Sequence, residues 1–290
     1  MPFDPADMPT GALVQLSPRV GRVLAPNPSP FTYTGTQTYV VGATSVAVID
    51  PGPDMPDHLQ ALTDAIAGRP VTAILCTHTH RDHSPAARPL ADMTGASIIG
   101  CAPLTLNDDG PRADAAFDPG YQPDRIMEDG ERLTGEGWTL EAVATPGHTS
   151  NHLCFALVEE KALFTGDHIM GWSTSVVSPP DGDMAAYMRS MQRLLDRDDT
   201  VYYPAHGEPV TNPQRLARGM MGHRKSREGQ IMRFLERNGA SQIPDMVAEM
   251  YKGVDPRLHP AAGRSVLAHL IDLKGRGVAA SLEDGRWQMR

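Results

Sequence analysis

Seven histidine and aspartate residues that recur in one order constrain this chain more than any other feature. Four lie within T-H-T-H-R-D-H at residues 77–83, and three follow singly in P-G-H-T, T-G-D-H and P-A-H-G. The seven are His78, His80, Asp82, His83, His148, Asp167 and His206. Imidazole and carboxylate ligands without a thiolate suit zinc and its neighbours, and they are typical of an open, hydrolytic site. The set is large enough to hold two metal ions.

Short apolar segments rich in strand-forming residues precede each of these motifs. They are Val71–Cys76, Trp138–Thr145, Ala162–Thr165 and Val201–Tyr203. Each predicts a strand that ends close to a ligand, and loops at strand ends, held by a rigid sheet, bring together residues from distant parts of a chain. Two mixed sheets with outer helices, an α+β arrangement, would satisfy this geometry.

Other elements are predicted from local patterns. Further strands are expected at Gln37–Val41 and Ser45–Asp50, and helices at Asp57–Ala67 and Pro85–Thr94. Ser84 is expected to cap the second helix, because serine favours this position and proline favours the first turn. Two polar stretches, residues 104–135 and 173–183, are predicted to be surface loops.

The last part of the chain is predicted to be mainly helical. Helical patterns are predicted at Gln214–Arg237, Ile243–Tyr251 and Ala261–Lys274, followed by a hairpin over Val278–Met289. Three helices and a terminal hairpin indicate a winged helix. We therefore predict a catalytic domain at residues 1–211 and a helical, winged-helix domain at residues 212–290.

The net charge differs between these parts. Residues 1–216 carry 13 Lys and Arg against 27 Asp and Glu, a net charge of −14, whereas residues 217–290 carry 13 against 8, a net charge of +5. Two interpretations stay open. Both parts could have ordinary solvated surfaces, or the basic part could attract an anionic partner while the acidic part performs the chemistry.

Cysteine usage and hydropathy indicate a cytoplasmic protein. Cys76, Cys101 and Cys154 are odd in number and widely spaced, which does not resemble a disulfide framework. The stretch Met1 to Thr10 is acidic and holds three prolines, unlike a signal or transit peptide. No run of about 18 apolar residues predicts a transmembrane helix. We therefore expect no membrane association.

The spacing of the seven residues assigns them to two ions. His78 and His80 stand two apart and point the same way on an extended segment, so they can hold one ion from one side, and we expect His148 to complete its three nitrogen ligands. The second ion is expected at Asp82, His83 and His206, with Asp167 bridging both. A water shared by two metals has a strongly lowered pKa and needs no serine or cysteine nucleophile. Asp82 is then the predicted catalytic residue, which passes a proton to the leaving group.

Other residues of the same types receive supporting or structural roles. Asp50, at the end of an apolar strand, is a candidate for orienting a ligating imidazole. His168 follows the bridging carboxylate directly, so it is either a substrate contact or a packed neighbour, and His152 is equally open. Four histidines on or beside predicted helices are expected to be surface or core residues: His58, His223, His259 and His269.

This motif order resembles that of the metallo-β-lactamase superfamily, over about residues 20–210. The resemblance implies the αββα sandwich and carries the seven ligand roles to the residues named above. A closer resemblance is to the β-lactamase-like protein 2 branch, some members of which are endoribonucleases acting on single-stranded RNA. It is carried by T-P-G-H-T at 145–149, F-T-G-D-H-I-M-G at 164–171, Y-P-A-H-G-E-P at 203–209 and H-R-K-S-R-E-G-Q-I at 223–231. The last stretch opens the small winged-helix domain typical of that branch.

Two departures bear on substrate. His168 stands where a cysteine is expected in the animal relatives, and the loop from Trp172 to Asp183 has a different sequence. True β-lactamases of the superfamily generally lack the aspartate found here as Asp167, so classical β-lactamase activity is not expected.

Three functional hypotheses follow. The first, which is the function we predict from the sequence, is a binuclear hydrolase of phosphodiester bonds that cleaves single-stranded RNA, with the basic C-terminal part contacting the backbone. The second is a hydrolase of a small anionic thioester, lactone or other ester, as in the glyoxalase II and lactonase relatives, with the C-terminal part as a lid or a homodimer interface. The third is a winged-helix binding module with a vestigial metal site. Two Zn²⁺ are the expected cofactors, with iron and manganese as alternatives.

Overall fold

The structure is a computed structural model that describes residues 8–104 and 117–290. Its first sheet has seven strands in the order β1-β2-β3-β4-β5-β6-β7. The pairs β1–β2, β2–β3 and β3–β4 are antiparallel, and the pairs β4–β5, β5–β6 and β6–β7 are parallel. The strands are β1 Leu13–Gln15, β2 Val20–Leu24, β3 Gln37–Val41, β4 Val46–Ile49, β5 Val71–Cys76, β6 Ser97–Gly100 and β7 Arg125–Ile126.

Two helices make the first two parallel crossovers of this sheet. Helix α1, Pro56–Ile66, joins β4 to β5, and α2, Ala87–Thr94, joins β5 to β6. The expected capping of α2 by Ser84 is wrong: the helix is preceded by Ala86 without a side-chain cap. The Ser84 hydroxyl instead donates to Asp118 Oδ2 at 2.8 Å, so a tertiary hydrogen bond has replaced the local one.

The second sheet has five strands in the order β12-β11-β10-β9-β8. They are β8 Arg132–Gly135, β9 Trp138–Ala144, β10 Leu153–Leu157, β11 Ala162–Gly166 and β12 Val201–Pro204. Helix α3, Met184–Leu195, makes the crossover from β11 to the parallel strand β12. Strands β9, β11 and β12 run in the same direction, so their carboxyl ends meet at one edge.

The predicted loop over residues 104–135 lies partly outside the described residues, which omit 105–116. Within its described part, β7 is the last strand of the first sheet and β8 is an edge strand of the second. This region is therefore more regular than its Asp, Pro and Gly content predicts. The predicted loop over 173–183 contains no helix or strand.

A large hydrophobic core joins the two sheets. It includes Tyr39 and Leu75 of the first sheet and Trp138, Phe155 and Phe164 of the second. Backbone hydrogen bonds also link the sheets beside the ligand motifs, from Gln37 N to Ala205 O and from Leu153 N to Thr77 O, both at 2.8 Å. Because the helices cover the outer faces, the α+β class and the αββα sandwich are confirmed.

The C-terminal part begins with α4, Pro213–Asn238, a helix of 26 residues. It continues with α5 Ile243–Met250, α6 His259–Gly275, β13 Ala279–Ser281 and β14 Trp287–Met289. Strands β13 and β14 form the expected hairpin, and a separate core holds Leu235, Met246 and Trp287 together. The winged-helix arrangement is confirmed.

Helix α4 contributes to two cores. Ala217 and Met220 pack with Tyr187 of α3 and Tyr202 of β12, whereas Ile231 packs within the C-terminal core. Packing is therefore continuous across residue 212, and the boundary between residues 211 and 212 stays a prediction. Among the described residues, no helix is long and apolar enough to cross a membrane.

Candidate metal centre

All seven residues that the motifs single out lie at one edge shared by the two sheets. The loop after β5 of the first sheet carries His78, His80, Asp82 and His83. Three parallel strands of the second sheet end beside His148, Asp167 and His206. The expectation that loops at strand ends converge here is met, because the strands that precede the motifs all end at this edge.

The ligand atoms form two adjacent groups. His78, His80, His148 and Asp167 offer four atoms that all lie within 4.8 Å of one another. A second group with the same closeness contains Asp82, His83 and His206. The second group has the three protein ligands typical of a site that leaves a position open for water, and the first adds a carboxylate to three imidazoles.

Asp167 faces both groups with different oxygens. Its Oδ2 lies 3.7 Å from Nε2 of His148 in the first group. Its Oδ1 lies 3.6 Å from Nε2 of His83 and 3.2 Å from Nε2 of His206 in the second group. One carboxylate thus points one oxygen at each group, which is the geometry of a bridging ligand.

The outer nitrogens of the imidazoles fix which nitrogen faces inward. His148 Nδ1 lies 2.6 Å from Val176 O, and His206 Nδ1 lies 3.1 Å from Gly35 O. A carbonyl oxygen only accepts, so each Nδ1 carries a proton and each Nε2 is the nitrogen that faces the cluster, where a metal ion would bind it in place of a proton. The chain itself therefore sets the tautomer that a metal ion requires.

Asp50 orients two more of the imidazoles. Its Oδ2 accepts from His83 Nδ1 at 3.0 Å and from the Thr77 hydroxyl at 2.8 Å, and its Oδ1 accepts from Thr77 N at 2.8 Å. The Thr77 hydroxyl, having donated to Asp50, accepts from His78 Nδ1 at 3.0 Å. Asp50 is buried and has a backbone φ of 48°. This strained conformation, which Asp tolerates better than most residues, places its carboxylate under the cluster.

His152 is a supporting residue that sequence analysis left open. Its Nε2 accepts from the backbone N of Asp167 at 3.2 Å, and its Nδ1 lies 2.9 Å from the Thr145 hydroxyl. Gly166, with φ of 48°, leaves room for this contact, because a Cβ there would lie 2.7 Å from His152 Nε2. The signal in the sequence is the glycine before Asp167, but nothing local indicates that a histidine fills the space.

His168 does not border the cleft above the cluster. Its ring is fully buried, lies 4.7 Å from the Tyr187 ring, and has no hydrogen-bond partner on either nitrogen among the described residues. The structure thus places it as a packed neighbour of Asp167. Its role as a substrate contact stays a prediction without support from the geometry.

Burial and neighbouring charges shift the pKa values in opposite directions within the cluster. Burial, together with neighbouring imidazoles, lowers the pKa of His78 well below its usual range and that of His80 to about 3. Burial also opposes protonation of His206, but the carboxylates of Asp167 and Asp82 raise its pKa to about 10. The same ion pairs outweigh the effect of burial on Asp82 and Asp167 and hold the pKa of both carboxyls well below the usual range.

The cluster fits metal ions because several of its buried polar atoms lie close together without forming hydrogen bonds. Nε2 of His83 and Oδ1 of Asp167 have ion-pair neighbours at 3.2–3.6 Å but no hydrogen bond among the described residues, and Oδ1 of Asp82 has no hydrogen bond there either. Buried polar atoms of this kind are costly unless something pairs with them. Lone pairs that converge from several directions need a cation between them, and imidazole and carboxylate donors suit zinc, iron and manganese.

A cleft of about 600 Å³, including the part open to solvent, leads to the cluster. Its floor holds His80, His148, Asp82, Asp167 and His206, and its walls are Pro30, Phe31, Met170, Trp172, Ser173, Thr174 and Val176. Trp172 stacks on Tyr33 with ring centroids 4.6 Å apart. The walls are mostly apolar, and none of the described residues that line the cleft is a lysine or arginine.

Comparisons with known proteins agree with this architecture. Residues 32–206 match the family model of the metallo-beta-lactamase superfamily, and residues 243–287 match that of the beta-lactamase associated winged helix domain. A beta-lactamase-like protein 2 homolog from Drosophila melanogaster is 32% identical over 276 residues, which cover 92% of this chain and 91% of that protein.

Two further proteins are similar to this chain, one in sequence and one in structure. An atrochrysone carboxyl ACP thioesterase from Cryptosporiopsis is 34% identical over 228 residues, covering 77% of this chain and 64%, less than two thirds, of that protein. A metallo-beta-lactamase family protein from Thermus thermophilus superposes with a TM-score of 0.75 at 22% identity and covers 95% of this chain and 100% of its own. The second likeness concerns the fold alone.

The family match, the paired His and Asp groups and the sandwich that carries them lead to one conclusion. The chain belongs to the metallo-beta-lactamase superfamily and is a metal-binding hydrolase of that fold with a C-terminal winged-helix domain.

Proposed function

We propose that this protein hydrolyses thioesters whose acyl group is largely apolar. The observation that carries the proposal is the wall of the cleft, which combines Phe31, Met170, Trp172 and Val176 with no lysine or arginine among its described residues. A carboxylic thioester is neutral at its reacting bond and needs apolar contacts more than cationic ones. A polyanionic substrate would need positive side chains near its phosphates.

The seven motif residues are proposed to hold two metal ions. The first would bind His78, His80 and His148, the second Asp82, His83 and His206, with Asp167 shared between them. Zinc is the expected metal, and iron and manganese suit the same donors. Two such ions would supply a shared water whose pKa is lowered from about 15.7 toward neutrality and would polarise the carbonyl of the substrate.

Asp82 is proposed to carry the proton that the reaction must move. Its Oδ2 accepts from the Thr36 hydroxyl at 3.2 Å and lies 3.2 Å from His206 Nε2, which fixes the carboxylate at the floor of the cleft. Its Oδ1 has no hydrogen-bond partner among the described residues. This oxygen can therefore hold the proton lost by the attacking water and return it to the departing thiolate, whose conjugate acid has a pKa of about 8.5.

A second groove extends the apolar surface away from the cluster. Pro30 and Phe31 line both the cleft and this groove. Leu258, Pro260 and Ala261 of the C-terminal part form its other side, together with Arg257 and Asp255, which pair with each other. Phe31 and Leu258 are exposed. We propose that the acyl group extends from the carbonyl, past Phe31, into this groove. The thioesterase activity in the name of the Cryptosporiopsis relative is consistent with such a substrate.

Phosphodiester cleavage of single-stranded RNA is the second candidate. The observation that favours it is the net charge of +5 on residues 217–290. Several of these cations are, however, engaged in ion pairs within the C-terminal part. The pairs are Arg237 with Glu249, Arg257 with Asp255, Arg276 with Glu228 and Asp272, and Arg286 with Asp284. The acidic partners of these pairs are already subtracted in the net charge of +5, and we rank this candidate below the thioesterase because none of the described residues that line the cleft is a lysine or arginine.

A substrate panel on metal-loaded protein tests the proposal. The panel contains thioesters of increasing acyl length, a lactone, a simple phosphodiester and labelled single-stranded RNA, each also assayed with Asp82→Ala. We expect thioester turnover that Asp82→Ala abolishes, with a KM that falls as the acyl chain lengthens and changes little with salt. Cleavage of RNA alone, with a steep salt dependence and loss in Asp82→Ala, would refute the thioesterase proposal and favour the second candidate.

A further inference from the structure

Arg224 of helix α4 is a buried cation in contact with the cleft loop, which we define as residues 173–183. Its side chain is 4% exposed, and its guanidinium donates to the backbone oxygen of Ser175. Its Cζ lies 5.2 Å from the centre of the Tyr187 ring. None of the ion pairs among the described residues includes Arg224, so its main polar contact is the cleft loop.

The cleft loop in turn contacts the metal centre one residue further on. Val176 O accepts from His148 Nδ1 at 2.6 Å, and this bond fixes the inward-facing nitrogen of His148. The Ser175 hydroxyl donates to His168 O at 2.8 Å, next to Asp167. Thr174 and Val176 also line the cleft, so the position of this loop sets both a ligand orientation and a wall.

A second arginine from the C-terminal part holds the other end of the loop. Arg264 of helix α6 donates to the Pro179 backbone oxygen, and its Nε donates to the Ser178 hydroxyl at 3.3 Å. Both contacts join residues more than 80 positions apart in the chain. Two helices of the C-terminal part thus grip one loop of the catalytic part through its backbone oxygens.

We propose that Arg224 is a positioning residue of the metal centre, which acts through the cleft loop on His148 and on the cleft wall. The inference rests on the proposed function, in which His148 is a metal ligand, and deepens it. The C-terminal part is then a component of the active site, because it holds Ser175 O, which directly precedes the Val176 carbonyl that orients His148. Arg264 supports the same loop at Ser178 and Pro179, which lie further along the chain from the Val176 carbonyl that contacts His148. Its effect on the metal centre is therefore smaller.

The energetics separate this role from a purely structural one. Burial deprives the Arg224 charge of hydration, and no ion pair among the described residues offsets that cost. Methionine has a similar length and no charge, so it avoids this cost but leaves Ser175 O without its donor. Because the two effects oppose each other, Arg224→Met is expected to fold with a melting temperature close to that of the parent protein.

The test measures zinc affinity of purified, metal-free protein by competition with a chromophoric chelator. Arg224→Met is expected to bind one of two Zn²⁺ about tenfold more weakly, the lower end of what loss of a residue behind a ligand costs. The absorption bands of Co²⁺ in the same site should shift, and the KM for substrate should rise more than kcat falls. Arg224→Lys, which keeps the charge and loses the planar fork, should show a smaller change in each quantity.

Arg227→Met is the matched control. Arg227 lies on the same helix, but its guanidinium donates to Gln230 Oε1 and Met250 O and lies over the Tyr251 ring, all within the C-terminal part. It should bind both zinc ions as the parent protein does.

The proposal fails if Arg224→Met matches the parent in zinc affinity, Co²⁺ spectrum and KM, or if Arg227→Met loses as much affinity. Should Arg224→Met not fold, Arg224→Lys decides, and an unchanged zinc affinity there overturns the proposal. A parent protein that binds no zinc, iron or manganese would refute the metal centre itself, which is a distinguishable result.

Discussion

Histidines are buried in two regions of this molecule, and their surroundings differ. At the metal centre, the outer nitrogens of His148 and His206 donate to carbonyls, and that of His83 donates to Asp50. Near Arg224, His168 and His269 are also buried, but neither has a hydrogen bond on either ring nitrogen among the described residues. The contrast separates imidazoles that the chain has oriented toward a shared point from imidazoles that it has only packed.

A binding site differs from a merely buried polar residue in the partners that fix its side chains and set their pKa values. Mainly burial lowers the pKa of both His168 and His269 to about 3, with smaller contributions from His148 and Arg224 at His168 and from Arg224 at His269. At the metal centre, carboxylates oppose the effect of burial and raise the pKa of His83 and His206. Site chemistry therefore follows from fixed partners rather than from residue type. Three sets of variants, in order of decreasing effect, test this contrast.

Removal of the shared carboxylate should have the largest effect. In Asp167→Asn, one oxygen becomes an amide nitrogen that donates, so only one of the two groups keeps a carboxylate ligand. We expect loss of one metal ion by elemental analysis and a fall in kcat/KM on the order of 10³-fold, about 4 kcal/mol. Asp199→Asn removes another buried carboxylate, which pairs with Arg197, and should keep both ions. Full metal content in Asp167→Asn would exclude a bridging role.

A smaller effect is expected from the residue that orients ligands without touching the metal. Asp50 accepts three hydrogen bonds from Thr77 and His83, and asparagine has a single acceptor oxygen for them. Asn tolerates the positive φ, so Asp50→Asn should fold. We expect metal affinity to fall about 10–100-fold. Asp64→Asn, on the exposed face of α1, is the control, and an equal affinity in both variants would show that Asp50 does not orient the ligands.

The smallest effect concerns the packed region and appears only at acid pH. Burial lowers the pKa of His269 from 6.5 to about 3 in the folded state, so the folded protein keeps it neutral while the unfolded chain protonates it below pH 6.5. Its contribution to stability is complete above pH 6.5 and is lost as the pH falls toward 3. At pH 5 the loss is about 2 kcal/mol in the free energy of unfolding.

His269→Leu should remove this pH dependence. Its free energy of unfolding, compared with that of the parent protein, should therefore improve by about 2 kcal/mol between pH 7.5 and pH 5, measured by urea unfolding. His223→Leu, at an exposed position on α4, should improve less. An equal pH dependence of the parent and His269→Leu would show that His269 is not held neutral by burial.

The parts of this molecule that the sequence predicts well are those with local signals. The metal motifs follow strands, as the sequence predicts. Each strand is a β-rich segment whose end is marked within a few residues, in some cases by a Pro-Gly or Gly break. The winged helix is predicted for the same reason, since helical periodicity and an Asp284-Gly285 turn are local. The cap at Ser84 is wrong because a partner 34 residues away, Asp118, offers a competing hydrogen bond.

The supporting contacts could not be predicted, because they join distant segments. His152 contacts the backbone of Asp167, and Arg224 contacts the backbone of Ser175, 49 residues away. Backbone partners carry no sequence signal, since any residue has a carbonyl and nearly any has an N–H. A histidine that orients a ligand, one that binds metal and one that is merely packed therefore look alike until the fold brings their partners together.

The central claim is that two metal ions share the carboxylate of Asp167. A crystal structure of the metal-loaded protein, with anomalous data collected on both sides of the zinc absorption edge, tests it most directly. The account predicts two anomalous peaks about 3.5–4 Å apart, one beside each oxygen of Asp167, within the two groups of imidazoles. A single peak remote from Asp167, or no peak in a fully loaded protein, would contradict it.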